Sequence, residues 1–124
     1  MKVKDIAFTL VPVTSLKASR AFYEEVLGLK ATSVYVKDEM GMIEYDVGSA
    51  TLAIGAGAPF FKPSKEGGAV AFEVEDFKAA ISRLKESNAV FVMEGYETPV
   101  CHMAIFRDPD GNLLMVHQKK ADHK

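Results

Sequence analysis

A cysteine and a histidine near the C-terminus are the most reactive pair of side chains that the sequence offers. Cys101 and His117 lie in two apolar stretches that are predicted to be neighbouring strands, with both side chains on the same face. A thiol beside an imidazole can ionise to a thiolate nucleophile. The alternative is that Cys101 is a small buried side chain and that His117 stands at the mouth of a cavity. Both residues are candidate catalytic groups.

Glu44 is the carboxylate of greatest interest. It alternates with apolar side chains between Met42 and Val47, so it shares a face of the predicted strand with Met42. An inward carboxylate could pair with a cationic group of a ligand or act as a general base. The alternatives are a salt bridge and exposure at a cleft rim. A metal site built from Glu44, His117 and Glu73 is chemically possible, but nothing in their spacing specifies it.

The segment Asp108-Pro109-Asp110-Gly111 predicts the turn that positions Cys101 and His117. This order is typical of a type I turn closed by a left-handed glycine, which makes a three-residue hairpin loop with a bulge. The apolar stretches on both sides then pair as antiparallel strands, with residue 106 opposite 114 and residue 104 opposite 116. One face carries Cys101, Met103, Ile105, Leu113, Met115 and His117, and the other carries Ala104, Phe106, Leu114 and Val116. Because both faces are largely apolar, we expect helices to cover one and a ligand cavity to adjoin the other.

The chain repeats one order of elements twice. Apolar patterns and turn residues predict strands at 6–13, 29–37, 42–47, 50–54, 69–74, 89–93, 103–106 and 113–116. They also predict a helix at 16–27, capped by Thr14 or Ser15, and a second helix that begins after Asp76 and stops at Asn88. The result is an α+β domain of two βαβββ modules, at about residues 1–55 and 69–118, with a linker at 56–68. Each helix would cover one face of its sheet. The two half-open sheets would then form a half-open mixed β-barrel around a shared cleft, where ligands bind preferentially.

Composition limits the classes of function. The 124 residues suffice for one domain with its own core, and the net charge of −2 without a long basic run argues against nucleic acid as the main partner. A single cysteine excludes an internal disulfide framework and is typical of a reducing compartment. The N-terminus reaches charged residues at once and no long apolar run follows, so we expect a cytoplasmic protein without a membrane span.

Three segments resemble the signatures of the vicinal oxygen chelate superfamily, which includes glyoxalase I, bleomycin-resistance proteins and extradiol dioxygenases. They are Leu16-x-x-Ser19-x-x-Phe22-Tyr23-x-x-Val26-Leu27-Gly28-Leu29, Ala71-Phe72-Glu73-Val74-Glu75-Asp76 and Asp108-Pro109-Asp110-Gly111-Asn112. The resemblance spans nearly the whole chain and implies the glyoxalase/bleomycin-resistance fold. It says less about activity, since one fold hosts many functions.

The resemblance also implies where a metal would bind. Metal-dependent members take ligands, usually His and Glu, from four cavity-facing positions, and here these positions hold Phe8, Met42, Ala69 and Met115. Phenylalanine and alanine donate no lone pair, and methionine sulfur is a poor ligand for hard or borderline divalent ions. We therefore expect no metal, no cofactor and an apolar cavity floor.

The lack of metal-binding side chains at these four positions favours metal-independent binding of a hydrophobic or aromatic small molecule. The expected ligand-binding residues are Phe8, Met42, Glu44, Phe60, Ala69, Ala71, Met103, Ile105, Met115 and His117. The main alternative is a lyase, isomerase or dioxygenase-type enzyme of the same superfamily that uses Glu44 and His117, with or without an atypical divalent metal. A structural domain with a filled cleft is a third reading. The resemblance further implies a homodimer, because half-barrel edges in this family are commonly completed across a two-fold interface.

Overall fold

The computed structural model describes residues 1–38, 40–59 and 61–121. The chain forms two compact units, Met1–Pro63 and Ser64–Lys124, and the boundary between them falls within the predicted linker. Each unit contains one four-stranded mixed sheet and one helical segment, in the same order along the chain. The α+β class and both βαβββ modules are confirmed. Among the described residues, no helix is long and apolar enough to cross a bilayer.

The N-terminal sheet has the strand order β1-β4-β3-β2. Its strands are β1 (Thr9–Pro12), β2 (Ala31–Lys37), β3 (Met40–Val47) and β4 (Ala50–Ala56). The strand β1 runs parallel to β4 and the other pairs are antiparallel. We predicted a longer first strand, from residue 6. The strand β1 instead begins at Thr9, which pairs with Leu52 of β4. In this register Ile6 lies beyond the first residue of β4, Ala50, and has no partner there.

The helical segment of this unit begins at the predicted cap. The Ser15 hydroxyl accepts a hydrogen bond from the Ala18 N–H at 3.2 Å, and α1 (Leu16–Arg20) continues as a π-helical stretch (Ala21–Val26) before Gly28 at φ +74°. The buried side chains of this segment are Ser19, Phe22 and Tyr23. The pattern had predicted a face of Ala18, Ala21, Phe22 and Val26. That face is wrong for Ala18 and Ala21, which are exposed. The buried Ser19, Phe22 and Tyr23 and the half-buried Val26 instead follow the i, i+3, i+4, i+7 spacing.

The core of the N-terminal unit lies between this helical segment and one face of the sheet. Tyr23 stacks on Tyr45 with ring centroids 6.3 Å apart, and Ile43, Tyr45 and Ile54 are fully buried. Each such side chain contributes about 1.5–3 kcal/mol by leaving water. Because side chains alternate along β3, Met42 and Glu44 project from the opposite face. We call this opposite face the far face of the sheet.

Tyr45, Glu24 and Arg20 form a small hydrogen-bonded network at one edge of this core. The Tyr45 hydroxyl donates to Glu24 Oε2 at 2.9 Å, and Arg20 Nε donates to the same oxygen at 2.6 Å. The Arg20 guanidinium, assisted by the Tyr45 hydroxyl, lowers the pKa of Glu24 against the opposing effect of burial. Burial and the neighbouring Glu24 carboxylate raise the pKa of Tyr45. The charged form of Glu24 is therefore stabilised in the folded state.

We expect the Glu24 network to make stability depend on pH in acid. A carboxyl group whose folded-state pKa is depressed stabilises the fold above its unfolded pKa, and this stability is lost as the pH falls through the folded pKa. The free energy of unfolding of Glu24→Gln should therefore lie below that of the wild type at neutral pH, with the difference shrinking below about pH 4.5. Urea titrations of both proteins at several pH values measure this difference in the free energy of unfolding. In an Arg20→Gln background the same substitution should have a smaller effect, and a difference unchanged down to pH 3 would contradict the assignment.

The C-terminal sheet has the equivalent order β5-β8-β7-β6. Its strands are β5 (Val70–Glu73), β6 (Val90–Glu97), β7 (Cys101–Arg107) and β8 (Leu113–Lys119), and its helix is α2 (Phe77–Glu86). The Asp76 side chain caps α2 by accepting from the Ala79 N–H at 3.0 Å, and Asn88 follows it at φ +59°, both as predicted.

The predicted hairpin is confirmed in register. Phe106 pairs with Leu114 and Ala104 pairs with Val116, and these four side chains are buried on the side of α2. Gly111 has φ +89° and its N–H donates to the Asp108 carbonyl at 3.0 Å, which closes the turn. Met103, Ile105, Met115 and His117 are half-buried on the opposite face, the far face of this sheet.

The strand β6 is longer than its sequence suggested. We predicted a strand at 89–93 followed by a turn at 94–99, whereas β6 continues to Glu97. Its pairing with β7 shifts register twice, between Phe91 and Met93 and between Met93 and Tyr96. Such bulges absorb extra residues without ending the strand, so Gly95 does not make a turn. The turn comes later, where the Thr98 hydroxyl accepts from the Cys101 N–H at 3.0 Å.

Candidate functional site

The far face of the N-terminal sheet contains an apolar pocket. Its volume is about 210 Å³, and it is lined by Leu10, Tyr35, Met40, Gly41, Met42, Gly55, Ala56, Ala58 and Phe61. None of these lining residues is charged. The strands explain the position of the pocket, since Met42 pairs with Tyr35 on one side and with Gly55 on the other. Gly55 has no side chain, and Leu10 packs closely over it, with Leu10 Cδ1 only 3.0 Å from the place that a Cβ on Gly55 would take.

The pocket includes residues that sequence reasoning missed. Met42 was a predicted ligand-binding residue, and Phe61 was considered, together with Phe60, as a possible cover of a pocket. Leu10, Tyr35 and Met40 were not named. The sequence predicts a turn at residues 38–41, which would have placed Tyr35 opposite Glu44. Because β3 already begins at Met40, the register is shifted and Tyr35 pairs with Met42. Phe60, the aromatic residue chosen from the linker, lies outside the described residues. Its neighbour Phe61 is 52% exposed and lines the pocket.

Glu44 lies on the same far face, two residues along β3 from Met42. It is half-buried and pairs with Ser33 on β2 and with Ala53 on β4. Its backbone carbonyl accepts a hydrogen bond from the Thr32 hydroxyl at 3.1 Å. Its side chain is not among the residues that line the pocket. The roles of Glu44 as a base and as a ligand-binding residue stay predictions.

The far face of the C-terminal sheet holds a carboxylate–imidazole pair. Glu73 on β5 and His117 on β8 are partners in the parallel ladder, and His117 Nδ1 lies 2.5 Å from Glu73 Oε1. The second oxygen, Glu73 Oε2, accepts from the Lys119 backbone N–H at 2.8 Å. That N–H and the His117 ring lower the pKa of Glu73. Sequence reasoning had named Glu73 only as part of an unspecified metal site with Glu44 and His117. It had also named His117 as a catalytic and ligand-binding candidate.

Cys101 makes a different contact. Its thiol is buried, and Sγ lies 3.2 Å from the Thr98 hydroxyl oxygen. In the antiparallel ladder Cys101 pairs with Lys119, whereas His117 pairs with Met103. Cys101 and His117 thus share the predicted face but are offset by one step along it. Their joint role as a nucleophile and base stays a prediction.

The other predicted ligand-binding residues are spread over both units. Met103, Ile105 and Met115 are half-buried on the far face of the C-terminal sheet. Ala71 on β5 pairs with Met115 and is exposed, and Ala69 precedes β5 and is also exposed. Phe8 precedes β1 and is 43% exposed. Their part in binding remains to be tested by substitution.

The donor atoms of the structure do not fit the metal of the metal-dependent relatives. The four positions that the family resemblance assigns to ligands carry two thioethers, a phenyl ring and a methyl group, at Met42, Met115, Phe8 and Ala69. In the part of the chain that the structure describes, no three His, Cys, Asp or Glu side chains come close enough together to hold a metal ion. The Glu73–His117 pair supplies only two donors.

Comparison with known proteins agrees with the fold. The family profile described as Glyoxalase/Bleomycin resistance protein/Dioxygenase superfamily matches residues 5–116 of the chain. No curated protein sequence matches at a significant level.

Several solved structures share the architecture. TnmS3, an antibiotic binding protein from Streptomyces sp. CB03234, is 23% identical with a TM-score of 0.80, covering 97% of this chain and 99% of its own. A glyoxylase/bleomycin resistance protein/dioxygenase domain from Frankia sp. EAN1pec is 20% identical with a TM-score of 0.78, covering 98% and 96%. The fosfomycin resistance protein FosX from Listeria monocytogenes is 12% identical with a TM-score of 0.74, covering 98% of both chains. At these identities the similarity establishes the fold alone.

Proposed function

The chain belongs to the glyoxalase/bleomycin resistance protein/dioxygenase superfamily, and we propose that it binds a flat, hydrophobic or aromatic small molecule without using a metal. The observation that carries this proposal is the uncharged pocket around Met42. Transfer of an apolar ring from water into such a pocket is favourable by roughly 25 cal/mol for each Å² buried. The structural similarity to an antibiotic binding protein supports the same class of ligand.

The pocket residues suit a planar guest. Tyr35 and Phe61 supply aromatic rings at the rim, and both are more than half exposed. Met40 and Met42 have flexible, polarisable thioethers, which adapt to the outline of a ring and make favourable contacts with its edge. Leu10 packs over the glycine at position 55 and adds apolar surface to the floor beside them. This combination supports a ligand recognised by shape and apolar surface, with few fixed polar contacts.

The finer parts of the prediction are open to experiment. The enzyme alternative, which uses Glu44 and His117, stays a prediction, as do the homodimer and the cytoplasmic location. The chemistry of the donor set argues against the family metal, since methionine, phenylalanine and alanine replace the expected ligands. A single experiment can separate a metal-independent binder from a metalloenzyme of the same fold.

A thermal-shift screen tests the proposal. We expect a neutral aromatic probe such as N-phenyl-1-naphthylamine to raise Tm equally with and without EDTA. A ligand at a hundred times its Kd stabilises the folded state by about 2.7 kcal/mol, which amounts to several degrees for a domain of this size. Chlorides of zinc, iron(II), nickel and manganese are tested separately. Stabilisation by a metal salt alone, or aromatic binding that EDTA abolishes, would refute metal independence.

A further inference from the structure

The Glu73–His117 pair on the C-terminal unit has a defined geometry that the apolar pocket does not use. Both Glu73 oxygens are engaged, one by His117 Nδ1 at 2.5 Å and the other by the Lys119 N–H at 2.8 Å. A second link joins the strands, because the Val74 N–H donates to the His117 carbonyl at 2.8 Å. The carboxylate is therefore held from two sides, and the imidazole beside it has a restricted orientation.

This geometry decides which ring nitrogen carries the proton. A carboxylate only accepts hydrogen bonds, and the depressed pKa of Glu73 keeps it ionised at neutral pH. His117 Nδ1 must then be the donor in their contact. In the neutral ring the opposite nitrogen, Nε2, is left with its lone pair, as in the carboxylate–histidine pairs of other sites. The pair thus presents a hydrogen-bond acceptor on the side of the ring away from Glu73.

The surroundings of this acceptor are apolar and partly accessible. Across the sheet, His117 pairs with Met103 and Met103 pairs with Tyr96. The neighbouring rows on the same face consist of Ala71, Met115 and Ile105 on one side and of Lys119 and Cys101 on the other. The His117 side chain is 27% exposed, so a ligand can reach it.

We propose that the Glu73–His117 pair is a binding site for a planar apolar molecule bearing a hydroxyl group, with His117 Nε2 accepting the hydroxyl hydrogen and the ring lying against Met103 and Met115. Glu73 acts as a positioning residue, because it fixes the orientation and the tautomer of the imidazole. The site lies wholly on the C-terminal unit and does not depend on the pocket around Met42.

Side-chain NMR with phenol and anisole tests this site. The two probes share the aromatic ring, but only phenol has a hydroxyl donor. Long-range ¹H–¹⁵N spectra of the imidazoles should show the neutral His117 ring as the Nδ1–H tautomer, and phenol should displace its Nε2 resonance in a saturable way. We expect phenol to bind at least about tenfold more tightly than anisole, the worth of one good hydrogen bond. His117→Phe assigns the resonance among the three histidines of the chain.

Two variants separate positioning from simple structural support. Glu73→Gln should abolish the tautomer preference and the advantage of phenol over anisole while leaving Tm within a few degrees, and Glu73→Asp should retain part of both. Met42→Asp should leave phenol binding at His117 unchanged. Equal affinities for the two probes, or a wild-type His117 with its proton on Nε2, would overturn the assignment even if the apolar pocket binds its ligand as proposed.

Discussion

Met42→Asp is expected to weaken binding of N-phenyl-1-naphthylamine at least about thirtyfold, or about 2 kcal/mol. Met42 forms the middle of the pocket floor, between Tyr35 and Gly55, and no charged residue lines the pocket. A bound aromatic ring would remove the new carboxylate from water without offering it a partner, which costs several kcal/mol. Fluorescence titration of the probe measures the loss directly.

Matched substitutions make the Met42 result specific. Met42→Leu keeps an apolar side chain of similar volume and should bind the probe within about threefold of the wild type, since such exchanges are well tolerated. Met93→Asp places the same charge at a half-buried methionine of the C-terminal sheet and should leave binding unchanged. Circular dichroism and Tm confirm folding of all three variants. Unchanged affinity in Met42→Asp would exclude the pocket as the binding site.

Asp108→Ala is expected to have the largest effect on stability, about 3 kcal/mol. Asp108 is only 4% exposed, and its Oδ1 accepts from the N–H groups of Asp110 and Asn112, each at 2.9 Å. Its Oδ2 accepts from Asn112 Nδ2, also at 2.9 Å. Asn112 is buried as well, so truncation of Asp108 leaves buried donors without acceptors, which costs more than the hydrogen bonds themselves contribute. Urea unfolding measures the loss.

Two further variants test the origin of this effect. Asp108→Asn keeps Oδ1 but replaces Oδ2 with an amide that faces the Asn112 amide donor, so it should lose about half as much stability. Asp46→Ala removes an exposed carboxylate that accepts one hydrogen bond, from the Thr51 hydroxyl, and should cost less than about 0.5 kcal/mol. If Asp108→Ala cost no more than Asp46→Ala, the buried network would not hold the hairpin.

The Asp108 turn also determines which side chains lie on the same face of the sheet as His117. It sets the register of β7 and β8, and a slip of one residue would exchange the buried and the far faces of both strands. Asn112 extends the network by accepting from the Ser64 N–H at 3.2 Å, which anchors the start of the C-terminal unit. The turn thereby determines that Met103, Met115 and His117 share one face.

Short-range features of the fold could be predicted from the sequence. The cap at Ser15, the cap at Asp76 and the hairpin register around Gly111 all rest on residues within a few positions of one another. Local backbone preferences and hydrogen bonds of this kind depend on residue type and close neighbours, so they survive in any tertiary context. The same patterns, together with three family segments, predicted the repeated βαβββ order.

Features that depend on distant parts of the chain could not be predicted in this way. The helical face that packs on the N-terminal sheet includes Ser19 and Tyr23 in place of Ala18 and Ala21, and the bulges of β6 depend on its partner β7. No local signal pairs Glu73 with His117, because the two residues are 44 positions apart and meet only through parallel strands.

Residue types alone therefore determined the elements, their order and the apolar character of the candidate binding residues. The tertiary structure decided which side chains meet, and so placed a pocket at Met42, a polar contact for Cys101 at Thr98 and a carboxylate beside His117. The physical reason is the range of the interactions. The interactions that form turns and helix caps, and the alternation of side chains along a strand, involve residues that are close in sequence. The partners of a strand are instead selected by packing across the whole unit.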